Sequence, residues 1–151
     1  MQPVRPKCFF VALVLAWVVA IYVPSAAIAA AGLSPLAEGR NFAAAVWAVA
    51  DEVAPAAKIG FAVLLGFLLF VRRRLGSSLA LPADIVLASA SMLLIVALLP
   101  RAWSRGFGVG LAGIRFDPAP LAIYLAAAAF AGLVFHFSET RCLRRNYPST
   151  P

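Results

Sequence analysis

The chain reads as an all-α integral membrane protein: four transmembrane helices in a small bundle, with a short interfacial helix between the first and second. Three observations predict this. Of 151 residues, 64% are hydrophobic and 13% are charged, against about 25% charged in an average soluble domain. The mean hydropathy is +0.95. The apolar residues are also grouped in long blocks separated by short polar or glycine-rich breaks, the pattern of spans and loops.

The first block, Phe9 to Ala31, holds 23 residues without a charge. As a helix it is roughly 35 Å long, enough to cross a hydrocarbon layer of about 30 Å. Trp17 and Tyr22 are interface or packing aromatics, and Pro24 is placed to kink the outer end. A second reading stays open: Arg5 and Lys7, the apolar run and Ala27-Ile28-Ala29 also spell a secretory signal with an A-x-A cleavage site. Residues 1–29 would then be removed and three spans would remain. Both readings orient the rest of the chain identically.

Gly32 to Arg40 is a turn-rich break. Asn41 is suited to cap a helix, and 42–53 reads as an interfacial helix before a second span over 54–71, a single long kinked helix being the alternative. This span runs into Arg72, Arg73 and Arg74, which mark its cytoplasmic exit. Lys58 lies only about 20 Å of helix before Arg72, short of the bilayer core. Two accounts stay open for it. In one its stem snorkels to the interface. In the other it is a functional cation paired with Asp51, seven residues back on the same helical face, with Glu52 or Asp117 as further partners.

The third span covers 84–100. Asp84 at its start suits the helix dipole and can pair with the arginine cluster, while Ser89 and Ser91 form a small polar patch for helix packing. Arg101 to Asp117 is a glycine-rich outer loop. Gly108 to Gly113 spell G-x-G-x-x-G, but a dinucleotide fingerprint requires a strand before it and a βαβ unit around it, and spans flank this one. Pro118 opens the last span, 118–138, in which Ala128 and Gly132 have small-xxx-small spacing. Arg141, Arg144 and Arg145 close it.

Net charge is +7, and because the basic residues gather at span ends, the implied partner is a bilayer with anionic head groups rather than nucleic acid. Arg72, Arg73, Arg74, Arg141, Arg144 and Arg145 are the expected head-group contacts. Arg5, Lys7 and those six lie on one side, and Arg40, Lys58, Arg101, Arg105 and Arg115 on the other. The bias puts both termini in the cytoplasm. Cys8 and Cys142 then share the cytoplasmic surface, where no structural disulfide is expected. Their spacing fits neither CxxC redox pairs nor zinc sites.

The one histidine, His136, reads as a polar span-end residue without a visible partner. No nucleophile triad, phosphate loop or metal-ligand cluster is legible, and no cofactor is expected. No charge stands near the middle of a span, which argues against an ion pathway and against an enzyme. From Phe67 onward the layout resembles a bacterial family of four-span inner-membrane proteins of unknown function. The shared features are the arginine-ended span, the glycine-rich loop leading to Phe116-Asp117-Pro118, and a last span closing on Glu139-Thr140-Arg141-Cys142-Leu143-Arg144. That family also has a longer polar loop and an acidic C-terminal signature, which this chain lacks, and the resemblance implies no catalytic residues. The expected function is a non-enzymatic subunit, scaffold or regulator of the bacterial inner membrane, packed with a membrane-protein partner or a second copy. The alternative is a small transporter or channel component using Lys58, Asp51 and Glu52.

Overall fold

The computed structural model describes residues 5–53, 55–75, 80–98 and 118–146. These form five α-helices: α1 (Pro6–Ala30), α2 (Phe42–Glu52), α3 (Pro55–Leu75), α4 (Ala80–Leu98) and α5 (Pro118–Asn146). Four of them, all but α2, are long and apolar enough to cross a membrane. The glycine-rich loop with its G-x-G-x-x-G spelling, Asp117 and Pro100 at the end of the third span lie outside the described residues.

Each observed boundary has a local cause. α1 continues through Pro24 and ends in a Schellman motif, with Gly32 at φ 65° and Leu33 N–H donating to the Ile28 carbonyl. Asn41 caps α2, its Oδ1 accepting from Ala44 N–H at 2.9 Å. Val53 then turns to an extended conformation and Pro55 opens α3, so α2 and α3 are two helices rather than one kinked helix. At 11 residues α2 is too short to span a bilayer.

The four long helices alternate in direction. α5 packs against both α1 and α4, and α3 closes the ring between α4 and α1. The contact faces follow helical spacing. α1 buries Ala12, Ala16 and Ala20, four residues apart, and α5 buries Ala127, Ala128 and Ala131. These small side chains let the two backbones approach closely. α3 buries Ala57, Phe61, Leu65 and Leu69 and turns Ile59, Val63 and Phe67 outward. The large exposed apolar side chains on α1, α3 and α4 are what lipid tails require of a spanning bundle.

Among the described glycines, Gly132 stands at the closest approach to a neighbouring helix. A Cβ there would lie 2.6 Å from the Asp84 carbonyl oxygen and 2.8 Å from Ile85 Cα. The Ala128 and Gly132 face therefore holds α5 against its own chain, where sequence spacing alone left its partner open. Ser91 is likewise buried and bonds the Leu87 carbonyl at 2.7 Å, whereas Ser89 is half-buried.

Candidate functional site

The buried stripes of α3, α4 and α5 each carry a charge near one end of the bundle. On α3 the stripe Phe61, Leu65, Leu69 continues to Arg72; on α4, Ala88 and Met92 are preceded by Asp84; on α5, Ala128, Ala131 and Phe135 are followed by Glu139. Antiparallel packing brings these ends together. Arg72 Nε lies 3.0 Å from Asp84 Oδ1, placed off the axis of a hydrogen bond. Arg73 Nη2 donates to Asp84 Oδ2 at 3.2 Å and also to Glu139 Oε2, so one guanidinium bridges two carboxylates on two helices. The Arg73 guanidinium also stands 5.4 Å over the Phe135 ring, a cation–π contact.

His136 Nδ1 is 3.0 Å from Asp84 Oδ2. An aspartate held by two guanidinium groups is an acceptor, so the shared proton belongs on Nδ1. Asp84 is fully buried. Two cations face two anions, and the group is neutral when His136 is neutral. Taking such charges out of water costs several kcal/mol per ion, and the mutual pairing is what offsets it. The cluster thus clamps α3, α4 and α5 at a single point.

Two sequence expectations are corrected here. Arg72 and Arg73, expected at lipid head groups, are turned inward, with side chains only 8% and 19% exposed. The buried stripe reaches the end of α3, and partners on α4 and α5 await it. Arg74, by contrast, lies 5.2 Å over the Phe70 ring near the surface, and Arg141, Arg144 and Arg145 are exposed at the end of α5. Second, Cys8 and Cys142, expected as separate thiols, form a disulfide with Cα atoms 5.5 Å apart. The start of α1 and the end of α5 pack side by side, and Phe9 meets Phe135 edge-on at 5.4 Å.

Asp51, Glu52 and Lys58 lie at the opposite end. The break at Val53 removes the shared helical face, and among the described residues no ion pair joins Lys58 to Asp51 or Glu52. The Lys58 carbonyl instead accepts from Trp17 Nε1 at 2.9 Å, tying α3 to α1. Val53, Ala57, Lys58, Phe61, Met92 and Tyr124 with Ala20 and Ile21 line an apolar cleft with room for about one water molecule.

Glu52 Oε2 is buried without a hydrogen-bond partner, and burial pushes its carboxyl above the ordinary 4.5. The folded chain therefore holds this proton more tightly than the unfolded chain. Stability contributed by this group falls as pH rises from 4.5 through the raised value. Glu52→Gln is accordingly expected to melt above the parent at neutral pH, with the gain fading toward pH 4.5. A difference between the two melting points that does not vary with pH refutes this.

His136 is the residue that sequence reasoning left without a role. Its position three residues before Glu139 on α5 is the one available signal, and its partner comes from α4. A bundle of four spanning helices with a clamp of buried charge at one end defines a small multi-pass membrane protein. Comparison with known protein families, curated proteins and solved structures finds no match to the chain.

Proposed function

We propose that the chain is a bacterial inner-membrane protein, both termini cytoplasmic, that acts without catalysis as a subunit, scaffold or regulator packed against partner membrane helices or a second copy of itself. The observation that carries the reading is the division of labour between the two faces of α3. Its inner face ends in Arg72 and Arg73, whose charge is spent on Asp84 and Glu139 within the chain. Its outer face presents Ile59, Val63 and Phe67, each more than 60% exposed, on a helix braced mainly by α4 and more lightly by α1. A rigid internal clamp with an apolar ridge on the least enclosed helix suits docking in the membrane plane, where close packing is the attractive force. The excess of Lys and Arg at the disulfide end supports the orientation.

Extraction in a mild detergent followed by size-exclusion chromatography with light scattering tests the reading. We expect a mass above that of one chain plus its micelle, reduced when Val63 and Phe67 are replaced by alanine. A monodisperse single chain under several mild detergents overturns it.

A further inference from the structure

The Cys8–Cys142 bond stands at the end of the bundle that carries Arg72–Arg74, Arg141, Arg144 and Arg145. On the topology proposed above, on which this inference rests, that end faces the cytoplasm. Thiols there are kept reduced, and the disulfides that do form are chiefly transient, catalytic or redox-sensing. We propose that Cys8 and Cys142 are a reversible thiol–disulfide switch that locks α1 to α5 when oxidised.

The geometry supplies what such a switch needs. Packing of Phe9 on Phe135 holds the two cysteine backbones at bonding distance through contacts other than the bond itself. The reduced pair therefore stays poised to close without rearrangement. The two sulfurs are unequal. Cys8 is 2% exposed, whereas Cys142 is half-buried near the end of α5. Asn146 Nδ2 lies 3.4 Å from Cys142 Sγ, a donor that favours negative charge on that sulfur.

Oxidation then follows thiol–disulfide exchange. The Cys142 thiolate attacks a sulfur of a small oxidised disulfide such as glutathione disulfide, forming a mixed disulfide and releasing one thiolate. Cys8, deprotonated, attacks the Cys142 sulfur of that mixed disulfide, forming Cys8–Cys142 and releasing the second thiolate. Two electrons pass to the small disulfide, and the two protons leaving the cysteines reprotonate the two released thiols. Reduction reverses the sequence, with entry again at the reachable sulfur of Cys142.

The lock bears on the ion cluster through a short chain of contacts. Cys8 precedes Phe9, whose ring meets Phe135, and over Phe135 stands the Arg73 guanidinium that bridges Asp84 and Glu139. Oxidation fixes the first turn of α1 over this group; reduction leaves that turn held by packing alone.

The test uses full-length protein with a cysteine-free variant of green fluorescent protein at its C-terminus, in growing cells. Acid quenching and alkylation with a polyethylene-glycol maleimide count free thiols as steps in gel mobility. In untreated cells we expect fluorescence and two free thiols. The two thiols should be lost within minutes of adding diamide, which raises glutathione disulfide, and should return after washout. Cys8→Ser should instead accumulate glutathione on Cys142, read by intact mass, while Cys142→Ser should not. A pair fully oxidised in untreated, fluorescent cells overturns the switch and leaves the topology standing. So do thiols that remain alkylatable after diamide. A dark fusion with activity from an alkaline phosphatase fusion at the same terminus overturns the topology, and the switch with it.

Discussion

Asp84→Asn is expected to destabilise the bundle by about 3–5 kcal/mol, the usual cost of removing one partner from a buried ion pair. The substitution keeps the shape, removes the charge and turns one carboxylate oxygen into an NH2 donor. Arg72 and Arg73 then face each other's charge with Glu139 as their sole carboxylate, and a single amide oxygen is left to accept from them and from His136 Nδ1. The measurement is the fraction remaining monodisperse after heating in detergent, for parent and variant. Asp84→Asn melting with the parent refutes the clamp. The pairing is separable from a general loss of fit, because replacing Asp84 and Arg72 together by apolar residues of similar volume should recover part of the loss. A double variant no better than the single one would mean that shape, rather than charge, is what Asp84 provides.

Gly132→Ala is expected to cost about 1–3 kcal/mol, and Gly132→Val more, the range for forcing atoms into a packed interior. The added Cβ meets backbone: the Asp84 carbonyl oxygen at 2.6 Å, Ile85 Cα at 2.8 Å and the Asp84 carbonyl carbon at 3.0 Å. Backbone cannot rotate aside, so α4 must move away from α5. Two other glycines serve as controls. A Cβ at Gly60 would meet only the end of the Ile95 side chain, at 3.1 Å, and one at Gly66 only that of Leu13, at 3.0 Å. Alanine at either should cost much less, since those ends can shift, and a rank order with Gly132 mildest contradicts the packing described. Gly132 also touches the residue at the centre of the clamp. Displacing α4 draws Asp84 from His136, one turn further along α5, so the losses from Gly132→Ala and Asp84→Asn should not add.

Much of the architecture was legible because hydropathy and helix length are properties of contiguous residues. The spans, the short helix after Asn41, the break before Pro55 and the cation-rich ends all follow from windows of about twenty residues or fewer, and the structure has all of them. The candidate site was only half legible. Asp84 was read as a partner for the arginines, yet Arg72 and Arg73 were assigned to lipid, because a run of three arginines does not say which of them continues the buried stripe. Of the two accounts of Lys58, the pairing with Asp51 required one helix through Val53, and the break cancels that register.

The sequence by itself determined which segments are apolar and long enough to span, their order, and which ends carry positive charge, since insertion in lipid demands continuous apolar length regardless of neighbours. Only the tertiary structure decided that His136 faces Asp84, 52 residues away, that Arg73 reaches Glu139, 66 residues away, and that Cys8 bonds Cys142, 134 residues away. Those contacts depend on how closely the helices approach and on their rotation about their own axes. That geometry is set by small residues such as Ala12, Ala16 and Gly132 acting across interfaces, and one-dimensional periodicity does not record which faces meet.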